Sequence, residues 1–186
     1  MTRMRQPAKL AGRELNEMAG MTETVDIVLE AEAWDATGLH ALAERAILAS
    51  LRHLHLPEDC TCTILATDDA RIAVLNADFR AKEAATNVLS WPSDDLAPEK
   101  PGGQPALPEP DFPGEPPFLG DIALAWETCA REAEEAGKPL EAHVTHLIVH
   151  GLLHLLGYDH IRDEDALLME RLEVEILFKL GFPNPY

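Results

Sequence analysis

Cysteine, aromatic residues and positive charge are all scarce in this chain. Three cysteines among 186 residues are too few and too odd in number for a disulfide framework. Cys60 and Cys62 stand two apart in a β-like stretch and share one face of a strand, while Cys129 falls in an amphipathic helix with no Cys or His at ligand spacing. All three read as buried free thiols in a reducing compartment. Aromatic residues make up 5% of the chain, which provides no aromatic-rich platform on which nucleic-acid bases could stack. Fifteen basic against 33 acidic residues give a formal charge of −18, so the chain as a whole repels polyanions and any contact with nucleic acid has to be local. Long apolar runs are also missing. A membrane span needs about 20 apolar residues, and the longest candidate, Leu147 to Leu156, is broken by His150, Gly151 and His154. The first twenty residues hold Arg3, Arg5, Lys9 and Arg13 without an apolar segment, a loose basic tail rather than a secretory signal. The expected location is the cytoplasm.

What remains is an ordinary globular composition, 46% hydrophobic and 26% charged, long enough for one domain with a core of its own. Residues 1–22 show no periodicity and read as a flexible N-terminal extension; 23–186 read as a single domain. Val25 to Leu29 is strand-like, and Leu39, Leu42, Ala43, Ala46, Ile47, Leu51 and Leu54 recur at helical spacing up to Pro57. A strand over Cys60 to Ala66 leads into a helix capped by Asp68 or Asp69, whose far end delivers Arg80. Asn87 to Trp91 is a short strand. Eight of the 14 prolines then fall between Pro98 and Pro117, which predicts a mobile insertion over 94–118. Leu119 to Trp126 alternates as a strand, and helical patterns follow at Glu127 to Ala136, Pro139 to about Leu156, and Glu164 to Leu180. The order β-α-β-α-β-β-α-α-α predicts an α+β fold, a small mixed four-stranded sheet surrounded by about five helices.

The chemistry is concentrated in His150-Gly-Leu-Leu-His154-Leu-Leu-Gly157-Tyr158-Asp159-His160. His150 and His154 are four residues apart on a helix, about 6 Å along its axis and on nearly one face, so their rings can converge on one ion. Gly157 can take the left-handed conformation that stops the helix and brings His160 back to the same point. Three imidazoles with an open fourth position are the ligand pattern of a catalytic zinc at the end of a late helix. His146 is about 12 Å from His154 along the axis, too far to share the ion, and reads as packed or supporting. His143, His40, His53 and His55 read as surface or structural. The spacing His-x3-His-x2-Gly-x2-His is that of metzincin metalloproteases, but their glutamate after the first histidine is here Gly151. A metallopeptidase without its usual general base is therefore an alternative rather than the first reading.

Together with Leu75-Asn76 and Arg80, Thr86-Asn87-Val88-Leu89-Ser90, Leu119-Gly120-Asp121-Ile122 and Gly137-Lys138-Pro139, the histidine motif resembles the YbeY family of bacterial endoribonucleases. The resemblance runs from about Val25 to Tyr186, apart from the proline-rich insertion. It implies a metal-dependent, single-strand-specific endoribonuclease that matures ribosomal RNA, notably the 3′ end of the small-subunit RNA, and serves ribosome quality control. Carried over by matching positions, it makes His150, His154 and His160 the ligands of one zinc ion and Arg80 the functionally required arginine. Its implied partners are single-stranded RNA, rRNA and the small ribosomal subunit, with no DNA and no membrane. Trp91 stands where the family has phenylalanine.

Elementary chemistry agrees. A three-histidine zinc lowers the pKa of its bound water towards about 7 and polarises a phosphoryl oxygen, and an arginine's planar fork suits phosphate. The stretch Arg71 to Ser90 is locally basic within the acidic chain. Asp159 is expected either to orient a ligand imidazole or to cap the next helix. Asn87 and Ser90 are more simply strand-end hydrogen-bonding groups than substrate contacts. Asp163, Glu164, Asp165, Glu170, Glu173 and Glu175 read as the solvated face of the last helix. A metal-stabilised ribosome assembly factor without catalysis is the third alternative.

Overall fold

A computed structural model describes residues 24–186; the N-terminal extension expected over 1–22 lies outside them. The chain runs through β1 (Val25–Leu29), a 3-10 helix (Glu32–Thr37), α1 (Leu39–His53), β2 (Thr61–Thr67), α2 (Asp69–Arg80), β3 (Val88–Pro92), β4 (Phe118–Ala125), α3 (Trp126–Glu135), α4 (Leu140–Leu155) and α5 (Asp163–Lys179). The α+β expectation holds, with the order of strands and α-helices as read from the sequence.

The four strands form one mixed sheet in the order β1-β2-β4-β3, with β1, β2 and β4 parallel and β3 antiparallel to β4. The central strands β2 and β4 are apolar along most of their length because helices cover both faces. On one face Ile64, Ile122 and Leu124 meet Ile47, Ile148 and Leu152. On the other, Ile72 of α2 packs on Leu65, Leu89 and Ala123. Helix α4 packs against β3, β4, α1, α3 and α5, and it is largely apolar, with Val144, Ile148, Val149, Leu152 and Leu153 buried.

Several boundaries differ from the sequence reading, most of them by a single residue. Trp126 opens α3 instead of ending β4, β4 starts at Phe118 inside the expected insertion, and Cys60 precedes β2, although Cys60, Cys62 and Cys129 are all free and buried as expected. The 3-10 helix was not foreseen. It is tied down by Trp34, which is buried, donates its indole N–H to the Thr67 carbonyl at 2.9 Å and meets Trp126 edge-on.

The proline-rich segment has no regular structure, as its composition requires. It is nonetheless no free excursion. Gly102 N–H donates to Asp165 at 2.7 Å, Arg162 donates to the carbonyl oxygens of Pro98 and Glu99, and the Tyr158 hydroxyl donates to Gln104. These bonds strap residues 98–104 across the turn between α4 and α5. Among the described residues no helix is long and apolar enough to cross a membrane.

Candidate metal centre

Helix α4 places His150 and His154 one turn apart at its C-terminal end, with ring centroids 4.6 Å apart. Gly157 follows in a left-handed conformation, φ 87°, and the chain reverses there. A side chain at Gly157 would also run into the backbone of Leu96, 2.7 Å from an added Cβ. The reversal brings the His160 ring to 5.4 Å from His150 and 5.0 Å from His154. One ligand atom from each of the three histidines lies within 4.8 Å of the others. His150 and His154 are partly buried, and His160 is exposed.

Hydrogen bonding fixes which nitrogens are available. His150 Nδ1 faces the Glu173 carboxylate at 2.8 Å and His154 Nδ1 faces the Tyr158 carbonyl at 3.0 Å. Both partners can only accept, so each Nδ1 carries a proton, and in the neutral rings both Nε2 atoms present lone pairs. Those two Nε2 atoms face each other at 3.1 Å. Burial, with His150 and His160 alongside, pushes the His154 imidazole down to about 4, so it is neutral at neutral pH. Two lone pairs at that distance repel unless a cation lies between them. Two nitrogens bound tetrahedrally to zinc at about 2.0–2.1 Å stand about 3.3–3.4 Å apart, so the donor set fits a metal ion with little adjustment.

The sequence reading missed Glu173. Its carboxylate is completely buried and receives the His150 Nδ1–H, the His146 Nε2–H at 2.9 Å and the Tyr186 hydroxyl. Burial alone would raise its pKa, yet the donors from His146, His150 and Tyr186 hold it down at about 2. The assignment of Glu173 and Asp165 to a solvated face is therefore corrected, since Asp165 is also buried, beneath the Gly102 strap. A signal was present. Met169, Leu172, Glu173 and Ile176 follow the spacing of one helical face, and both Asp165 and Glu173 sit four residues from Met169 on it.

Asp159 plays neither expected part: it accepts its neighbour His160's backbone N–H at 2.7 Å, and α5 has no side-chain cap. His146 supports the centre through Glu173, as its distance from His154 required. Asn87 bonds Glu132 and the Val88 N–H, a structural use. Arg80 is the last residue of α2, followed by Ala81 in a left-handed conformation. The structure does not group it with the histidines on one element. Its neighbour Phe79 stacks edge-on against Trp91 of β3, while α4 lies on the opposite face of β3, with Gly151 against Ser90. The end of α2 and the histidine-bearing helix thus flank the same edge strand.

Gly151, the position of the metzincin glutamate, points at the sheet. An added Cβ would lie 3.1 Å from Ile122 Cδ1 and Cγ2 and from Ser90 Oγ. A carboxylate at this position would be driven into the core, away from the imidazoles.

Comparison with known proteins identifies the family. The family described as endoribonuclease YbeY matches residues 26–181. Endoribonuclease YbeY of Ruegeria pomeroyi is 62% identical over 164 residues, which cover 88% of this chain and 98% of that protein. Its counterpart in Jannaschia sp. is 58% identical over 163 residues, 87% of this chain and 99% of the other. The solution structure of TM1509 from Thermotoga maritima shares the fold, with a TM-score of 0.50 at 21% identity over 84% of this chain and 91% of that one. With the family matched across nearly the whole described region and relatives this similar over almost their full length, the chain belongs to the endoribonuclease YbeY family.

Proposed function

We propose that the chain is a zinc-dependent, single-strand-specific endoribonuclease of the cytoplasm that matures ribosomal RNA at the 3′ end of the small-subunit RNA and serves ribosome quality control. The observation that carries the metal chemistry is the pair of Nε2 lone pairs 3.1 Å apart, with His160 completing the cluster. His150, His154 and His160 are the proposed ligands. Imidazole donors in an open three-ligand set favour zinc over magnesium or calcium, which take oxygen. When bound, such an ion supplies an acidified water and a Lewis acid for a phosphoryl oxygen. The relatives' activity supports RNA as the substrate.

The chain's own residues do the positioning. The Tyr158 carbonyl and the Glu173 carboxylate hold the two helical imidazoles with Nε2 outward. Arg80 is the proposed phosphate-binding group, offering a planar fork of donors to the backbone and to the charge that develops in the transition state. With Arg80 on α2 and the histidines on and just after α4, a substrate touching both has to run along β3, the edge strand between those two helices. The metallopeptidase alternative loses its support at Gly151, where the sheet takes the place of a base.

The test is cleavage of a labelled RNA with single-stranded and duplex portions by the parent protein, His154→Ala and Arg80→Ala, with zinc supplied. Cuts confined to the single strand and lost in both variants are expected. Equal cutting by all three preparations, or none by any, would overturn the nuclease reading in favour of an assembly factor.

A further inference from the structure

The buried carboxylate at the back of the histidine cluster has no part in the sequence motif. Its three donors come from His146 and His150 on α4 and from Tyr186, and no lysine or arginine is recorded as its partner. A carboxylate buried among Met169, Leu172 and Ile176 is costly to desolvate, and a leucine there would pack at less expense. Its presence asks for a use that packing does not supply.

A second metal cage is one candidate, since His146, His150 and Glu173 also bring ligand atoms together. The distances argue against it. At 2.8 and 2.9 Å the imidazole nitrogens sit at hydrogen-bond separation from the two carboxylate oxygens, and the Tyr186 hydroxyl occupies a further lone pair. Three of the carboxylate's roughly four lone-pair sites already accept from donors. A purely structural tie between α4 and α5 is the other candidate, yet the bond to His146 alone would make one.

We propose that Glu173 is a positioning residue for the metal centre: its carboxylate holds His150 in the Nδ1–H tautomer and the orientation that leaves Nε2 free for the ion. The inference rests on the three-histidine metal reading above. Glu173 is the acceptor that faces His150 Nδ1, so without it the ring loses the bond that fixes its orientation and its proton can move to Nε2, which removes the donor lone pair. A carboxylate partner also raises the imidazole's basicity and so its strength as a ligand. Tyr186 and His146 satisfy the carboxylate's remaining lone pairs and keep it aimed at His150.

The experiment uses the full chain. Zinc affinity is measured by competition with a chromogenic chelator for the parent, Glu173→Leu, His154→Ala and Glu132→Gln, and the His150 tautomer is read from its ring ¹⁵N shifts with and without zinc. Glu132→Gln is the control, because Glu132 accepts from His143 at 2.9 Å in a carboxylate–histidine pair outside the cluster. Glu173→Leu, which leaves no acceptor facing His150 Nδ1, is expected to weaken zinc binding by about 10–100-fold and to shift His150 away from the Nδ1–H form, while Glu132→Gln stays within about threefold of the parent. Parent-like affinity and an unchanged tautomer in Glu173→Leu would overturn the proposal. So would a parent protein whose zinc-free His150 carries its proton on Nε2, a result that needs no variant to fold. If His154→Ala binds zinc as well as the parent, the three-histidine reading fails instead, and the tautomer still decides what Glu173 does.

Discussion

Replacing Gly151 with glutamate would install the base that the metzincin spacing lacks, and packing should forbid it. Gly151 is buried, and an added Cβ would lie 3.1 Å from two carbons of Ile122 and from Ser90 Oγ. Even alanine sets a helix-propensity gain of about 1 kcal/mol against overpacking of about 1–3 kcal/mol, a net loss of about 0–2 kcal/mol. Glutamate adds a further methylene and a carboxyl group with no partner, which costs several kcal/mol more. The total, about 4–7 kcal/mol, is comparable with the whole stability of a domain, about 5–15 kcal/mol. Urea unfolding followed by circular dichroism measures it. Gly151→Ala should show a slightly lower midpoint at unchanged slope, whereas Gly151→Glu should be largely unfolded or insoluble and gain no peptidase activity. A Gly151→Glu protein with a midpoint near that of the parent would show that α4 can lift off β3 and β4, and the reasoning would fail.

Three further outcomes are expected. Gly120→Ala should cost about 3 kcal/mol or more in urea unfolding, because Gly120 has φ 129° and an added Cβ would sit 2.1 Å from the Trp91 carbonyl oxygen; a loss below about 1 kcal/mol would refute it. Burial pushes the Cys60 thiol up to about 11 and those of Cys62 and Cys129 up to about 12. Above pH 9 the unfolded chain loses these protons and the fold keeps them, so stability falls as pH rises from about 9 towards 11–12, by about 1.4 kcal/mol per pH unit for each thiol. A triple Cys→Ala variant with the same alkaline slope as the parent would contradict this. Asp165→Ala should release the 98–104 strap and speed amide exchange at Gly102 by about tenfold or more, since Asp165 holds that N–H and the Arg162 guanidinium; an unchanged rate would show that the strap is held some other way.

Most of the architecture was legible because its signals are local. The spacing from Leu39 to Leu51 gives α1, and β2 and β4 are short apolar runs between turn residues. The clustering of the three histidines was equally legible, for i and i+4 on a helix followed by a glycine turn is a local geometry. What escaped depends on the tertiary fold. Glu173 looked solvated beside five other acids on α5, and only the packing of α5 against α4 turns it towards His150. The strap escaped for a similar reason: proline predicts an absence of regular structure, but the bonds to Arg162 and Asp165 come from residues about sixty positions away. The short 3-10 helix is set by the Trp34 indole reaching Thr67, a contact that no periodicity announces.

The helix that carries two of the three proposed ligands is also the one most deeply enclosed by the rest of the fold. The rotational freedom of His150 and His154 is thus surrendered when the core forms, before any ion arrives, so binding bears little of that entropic cost. The arrangement works in both directions. A change deep in the core that loosens α4, such as shortening Ile148 or Leu152, should act at a distance as a weakening of metal affinity. The exposed His160, which follows the turn at Gly157, is the proposed ligand whose freedom the core restrains least in advance.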